Sequence, residues 1–240
     1  MAAVVGLFIG AVGVGGVLLI PFLAIFGGLG IHAAAATALF TFLFTGLFGT
    51  WLFARRGSIN SRLTIPVCVG AIVFGYLGSA AAAHIAPRAL TIAIAVIIVC
   101  AGVYVFVPKR HALREARDGE NRRDVAVLAA VGAVSGFGSG LSGAGGPLFS
   151  VPLMVILGFA PLAAVGASQV LQIIASVSGS LAAVADGRID FALAAWVTGF
   201  ELVGVAAGVR LAHSVSPKTL RRIAGALCVV VGAFMLARAS

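Results

Sequence analysis

Apolar residues run through this chain in long unbroken stretches rather than alternating with polar ones. Met1–Ala54 contains no Asp, Glu, Lys or Arg, and Val125–Ala185 contains none of these and no histidine. Roughly 18 or more consecutive apolar residues predict a membrane span, because crossing the hydrocarbon takes about 20 helical residues. The predicted segments are Ala2–Phe26 (broken by glycines between Gly10 and Gly16), Ile31–Ala54 (ended by Arg55 and Arg56), Leu63–His84 and Ala89–Val107. After a hydrophilic loop come Val125–Gly158, Leu162–Ala185, Phe191–His213 and Thr219–Ala237. In lipid each must be helical, since backbone N–H and C=O groups find no water to bond. The expected fold is therefore an all-α integral membrane protein. It has a first transmembrane half at 1–108, a loop at 109–124 and a second half at 125–240.

The second half repeats the first at an offset of 130 residues. Gly28 matches Gly158, Ala33 and Ala34 match Ala163 and Ala164, and Gly57-Ser-Ile-Asn60 matches Gly187-Arg-Ile-Asp190. Further on, Gly78 matches Gly208, Pro87 matches Pro217, Arg88 matches Lys218 and Gly102 matches Gly232. Such duplication, with a broken helix opening each copy, is a common build of secondary transporters.

Val125–Gly158 is too long for one span and too short for two with a turn. A single crossing would make the repeats parallel; a hairpin returning to its own side would invert the second. Charge favours inversion. The 55–62 loop holds Arg55, Arg56 and Arg62, while its counterpart at 185–192 holds Asp186, Arg188 and Asp190. The 84–88 loop holds Arg88 alone, while its counterpart holds Arg210, Lys218, Arg221 and Arg222. Equivalent loops thus carry swapped bias, as the positive-inside rule requires of inverted copies. The hairpin arrangement puts the 109–124 loop in the cytoplasm and Ser240 outside.

Composition agrees with the pattern. Hydrophobic residues make up 61% and charged residues 10%, against about 45–50% and 25% in soluble domains. The net charge of +9 does not point to nucleic acid, because the basic residues sit between hydrophobic segments as topology determinants. Cys68, Cys100 and Cys228 lie singly in apolar segments without CxxC spacing and read as packing residues. No HExxH motif, Cys/His cluster or closely spaced carboxylate pair within the membrane is present, so neither an enzyme nor a metal or cofactor site is expected.

Each half pairs a Gly-rich stretch leading to proline (AVGVGGVLLIP, GLSGAGGPLFSVP) with an Ala-rich helix (AAAATAL, AAVGASQVL) and a G-x-I-N/D turn. This two-copy pattern resembles the sulfite exporter TauE/SafE family of membrane permeases over essentially the whole chain. The resemblance implies export of sulfite, sulfonates or related small sulfur-containing anions across the plasma membrane. Its departure is Thr37-Ala38, where a Thr-Ser pair is the more typical form.

The residues themselves suggest where an anion would bind. Non-helical backbone survives in lipid only where it is buried in protein or lines a cavity. Helices restarting after Gly13, Gly15 and Gly16, and after Gly145 and Gly146, would aim free N–H groups and positive dipole ends at that cavity. Ser139 and Ser142 would add hydroxyl donors. Thr37 and Thr41, and Ser168 and Gln172, share faces at i,i+4, with Gln169 one residue round; pore lining and interhelical bonding are both open to them. Gly204 and Gly208 read as helix-packing glycines. Glu201 lies well inside a span, where an ionisable group is a functional candidate, here for proton coupling. A coupled anion transporter is the leading reading. A passive channel and a non-transporting structural protein remain as alternatives, and the expected partners are a small anion, the bilayer and, left open, a second copy of the chain.

Overall fold

The computed structural model describes residues 1–13, 15–82, 88, 89, 92, 95, 96, 99, 103, 121–142, 145–185 and 189–239. The segment expected at Ala89–Val107, most of the 109–124 loop, Arg188 and Ser240 lie largely or wholly outside these residues.

Regular structure among the described residues is helical: α1 (Ala2–Val12), α2 (Gly16–Phe26), α3 (Ile31–Arg55), α4 (Ser61–Ala82), α5 (Arg122–Ser142), α6 (Pro147–Ile156), α7 (Pro161–Ala185), α8 (Phe191–Ser214) and α9 (Pro217–Ala239). Local chemistry sets the starts. Asn60 Oδ1 accepts from Arg62 N–H (3.0 Å), Asn121 Oδ1 from Arg123 N–H (3.3 Å) and Asp190 Oδ1 from Leu193 N–H (2.9 Å), each satisfying a first-turn donor. Pro147, Pro161 and Pro217 open α6, α7 and α9, where a missing N–H costs nothing.

The two glycine breaks are hairpin tips. Gly10 of α1 packs on Val205 of α8, whereas Gly27, just past α2, lies against Leu193 near the start of α8. The chain therefore turns back between α1 and α2. In the second half Gly138 of α5 packs on the Phe149 ring of α6, so α6 folds back along α5.

Helix directions follow from paired positions. Gly6 sits on Glu201 and Gly10 on Val205, so α1 runs parallel to α8. Gly132 sits on Val67 and Gly136 on Ala71, so α5 runs parallel to α4. In both pairs the glycines face backbone rather than side-chain ends, the close approach that small residues permit in membranes. Between these pairs α3 crosses α7 antiparallel: Phe42 meets Gln172, Gly49 meets Gln169, and Phe53 meets Gly166. Ser58 Oγ lies 2.7 Å from His213 Nε2, which puts the turn after α3 and the end of α8 at one end of the bundle.

The surface is apolar and much of the polar chemistry is inside. Ile65, Val69, Val73 and Phe74 on α4, Phe44 and Leu47 on α3, and Trp196, Phe200 and Val203 on α8 are exposed. Thr37, Thr41, Thr45, Ser168, Gln169, Gln172 and Glu201 are buried. Exposed apolar area this continuous suits lipid rather than water. Three described stretches, Ala36–Arg55, Ser61–Gly78 and Phe191–Ser214, are long and apolar enough to cross a membrane.

Candidate functional site

The first tip is made by Gly13, whose φ of 79° ends α1 in the left-handed region, followed by Gly15 as N-cap of α2 and Gly16 as its first residue. The second is made by Gly145, with φ of 86°, and Gly146, the N-cap of α6. A left-handed turn costs an L-residue roughly 1–2 kcal/mol, which explains glycine at Gly13 and Gly145. Gly146 has φ −59° and ψ −35°, angles any residue adopts; there the constraint is Leu171, whose Cδ2 would lie 2.5 Å from an added Cβ.

The first tip reaches α6 and α7. A Cβ at Gly13 would come within 2.9 Å of Ser168 Oγ, 3.0 Å of Val151 and 3.2 Å of Pro147. Pro147 is the first residue of α6, so the first tip sits directly on the helix that starts at the second. Gly15, Gly145 and Gly146 are buried, and neither α2 nor α6 has a side-chain hydrogen bond at its N-cap. Two helix N-termini, each with a partial positive charge of about half a unit, are thus left uncapped inside the protein. No Lys or Arg is buried among the described residues.

Three orphan hydroxyls lie on the second hairpin, and Thr50 of α3 and Ser176 and Ser180 of α7 are orphaned as well. Ser135 and Ser139 of α5 and Ser150 of α6 are buried, and their Oγ atoms have no partner among the described residues. Ser142 ends α5, and its side chain lies outside the described structure. Ser135 and Ser150 were not singled out from sequence, although Ser135 continues the i,i+4 spacing from Ser139 that could have found it.

The glutamines are committed elsewhere. Gln169 Nε2 donates to Ile9 O (2.9 Å) in the last turn of α1, an oxygen that also accepts from Gly13 N–H. Gln172 Nε2 donates to Phe42 O (3.0 Å) and to Thr45 Oγ1 (2.9 Å). These bonds tether α7 to α1 and α3, which is the interhelical role of the two readings. Ser168 Oγ, beside Gly13, donates to Val165 O (2.7 Å), so its hydrogen has to leave that bond before it can meet an anion.

The α3 threonines bond to neighbours of their own, while Phe42 of the same helix brings its ring within 3.8 Å of a Cβ at Gly145. Thr37 Oγ1 accepts from Asp190 N–H (3.2 Å) at the start of α8. Thr41 Oγ1 donates to Ala38 O (2.9 Å) and lies beside the Glu201 carboxyl group. Glu201 is fully buried, and neither carboxyl oxygen meets a described donor in hydrogen-bond geometry.

The chain matches the family described as Sulfite exporter TauE/SafE over residues 1–235. It is 28% identical over 247 residues to the probable membrane transporter protein YjnA of Bacillus subtilis, covering 97% of this chain and 96% of that one. The probable membrane transporter protein YdhB of the same organism is 24% identical over 238 residues, covering 96% and 95%. The probable membrane transporter protein MJ0441 of Methanocaldococcus jannaschii is 23% identical over 219 residues, covering 86% and 80%. No solved structure matches.

Proposed function

Because the chain belongs to the sulfite exporter TauE/SafE family, multi-pass membrane transporters rather than enzymes, we propose that it exports small sulfur-containing anions across the plasma membrane by proton coupling. The observation that carries the binding site is the meeting of the two hairpin tips, with two uncapped helix N-termini, at Ser168 of α7. Backbone dipoles and neutral hydroxyls bind an anion without a buried lysine or arginine, and so without an internal cation to neutralise when the site is empty. Glu201 is the proton carrier of the scheme.

The same proposal reads the two halves as inverted repeats. Gly6 on Glu201 and Gly136 on Ala71 are the same contact in the two halves, 130 residues apart. So are Gly208 on Leu7 and Gly78 on Phe137. The antiparallel crossing of α3 with α7 supports inversion, as does the Ser58–His213 bond, which brings the basic 55–62 turn and the α8–α9 corner to one end. That end is assigned to the cytoplasm with the 109–124 loop. Cysteines replacing Ser58 and Ser214 should then react with an impermeant maleimide only from inside, and one replacing Asp190 only from outside. Labelling of Ser58→Cys and Ser214→Cys from opposite sides would return the repeats to a parallel arrangement.

Transport is tested in proteoliposomes loaded with sulfite or a short alkylsulfonate under an imposed pH gradient. The gradient should drive the anion beyond equilibrium, and Glu201→Gln should abolish that uphill movement in protein that stays folded and still binds anion. Downhill flux alone would make the protein a channel, and no flux of any anion would remove the transport reading.

A further inference from the structure

Glu201 and Thr41 face one another across two helices that run side by side. Near the far end of both, Phe53 of α3 and His213 of α8 form a ring pair with centroids 5.1 Å apart. The Thr41 hydroxyl lies beside the Glu201 carboxyl group. Both are fully buried, and α1 closes the other side, with Gly6 pressed on the Glu201 backbone.

Among the described residues no ionisable partner is available there. α1 carries no ionisable side chain, and those of α3, His32 and Arg55, stand at its two ends. On α8 the nearest is Arg210, about 13 Å along the axis at 1.5 Å per residue, with His213 beyond it. Asp124, at the start of α5, is the other buried charged residue among those described. A carboxylate accepts several hydrogen bonds and donates none, yet no described donor meets either Glu201 oxygen. The adjacent hydroxyl has spent its hydrogen on Ala38 O and has only lone pairs to offer. That arrangement suits an O–H on Glu201 and opposes a negative charge, whose burial without donors is far costlier than that of a neutral acid.

We propose that in this conformation Glu201 is a neutral carboxylic acid whose O–H faces the Thr41 oxygen, so that Thr41 belongs to a proton site rather than to the anion site. Release of the proton breaks the Glu201 O–H bond and passes H⁺ to water, leaving a carboxylate that needs a donor. Thr41 can supply one by turning its hydroxyl from Ala38 O to the carboxylate, and water entering between α3 and α8 can supply the rest. The consequence for transport rests on the proton-coupled reading; the protonation state itself does not.

Infrared spectroscopy of the purified protein in lipid at neutral pH tests it. The acid C=O band should be present in the native protein and lost in Glu201→Gln. It should shift in frequency in Thr41→Val and return in Thr41→Ser. Should the valine variant fail to fold, Thr41→Cys, a much weaker acceptor, should give the same shift. Native and Glu201→Gln spectra without a difference in that band, or a band unmoved by loss of the Thr41 oxygen, would overturn the proposal. A band that behaves as expected, together with undiminished uphill transport by Glu201→Gln, would uphold the proton site and defeat the coupling reading instead.

Discussion

The two hairpin tips share a backbone design and differ in what surrounds it. Each turns through a glycine in the left-handed region, Gly13 or Gly145, and restarts a helix with no side-chain cap. The first tip is crowded: Gly13 is wedged among Ser168, Val151 and Pro147, and the Gln169 amide holds the turn before it. The second is looser at its turn, with no atom nearer than 3.8 Å to a Cβ at Gly145, and its hairpin carries the orphan hydroxyls of Ser135, Ser139 and Ser150. Similar backbones with unequal side chains suggest a division of labour. The first tip supplies a fixed wall, and the second supplies donors and room to move.

The largest effect expected of a single tip residue separates wall from turn. Gly145→Ala should lose about 1–2 kcal/mol through the left-handed angle alone. Gly13→Ala should lose that and a further overpacking cost of about 1–3 kcal/mol, because its methyl also meets three neighbours. Thermal unfolding of the two variants in the same lipid measures the difference, and equal losses would erase the distinction between a crowded and an open turn.

A smaller effect concerns Gly146. Its angles are ordinary, so a methyl there is opposed by the Leu171 side chain, a flexible group that can be shortened. Gly146→Ala should reduce anion transport severalfold, and Leu171→Ala in the same chain should restore much of it. Leu171→Ala should not rescue Gly145→Ala, where the obstacle is the backbone. Rescue of both would mean that the tip as a whole is merely overpacked.

Much of this was legible in sequence, and the exceptions have physical causes. Charge-free stretches located α3, α4, α7 and α8 closely, because lipid imposes helix on any long apolar run. The glycine breaks were visible as density, but which glycine takes the positive φ was not: it is Gly145, while Gly146 is spared by having helical angles. Spacing placed Ser168, Gln169 and Gln172 on neighbouring parts of one helix, yet could not tell that both amides donate to backbone carbonyls. A donor's partner is set by how helices dock, and a repeat at one offset says only which helices are equivalent. The partners of Thr37 and Thr41, the start of α8 and Glu201, were hidden for the same reason. Gly204 reads as a packing glycine in both views, since a Cβ there would fall on the Ala3 carbonyl oxygen. A substitution at Gly204 would therefore test folding. Gly199, with open space around it, is the appropriate control for the tips.

The smallest effect is also the sharpest test of the division between the tips, because stability and affinity should move in opposite directions. Ser150, in the first turn of α6, is fully buried with its hydroxyl unpaired, whereas the opening turns of α2, Gly16–Ile20, carry no hydroxyl at all. A buried polar group without a partner costs about 1–3 kcal/mol, so Ser150→Ala should leave the anion-free protein as stable as before or slightly more so. If the hydroxyl is held for the anion, the same change should cost about 0.5–1.5 kcal/mol of binding, roughly a two- to tenfold loss of affinity. The stabilisation that saturating sulfite confers on unfolding should shrink accordingly. Ser139→Ala should behave alike, and Ser176→Ala, an equally orphaned hydroxyl on α7, should relieve the empty protein without touching affinity. Unfolding temperatures measured with and without sulfite give both quantities from one series. Stability and affinity falling together in Ser150→Ala would make its hydroxyl an ordinary packing contact, and the two tips would then differ in crowding alone.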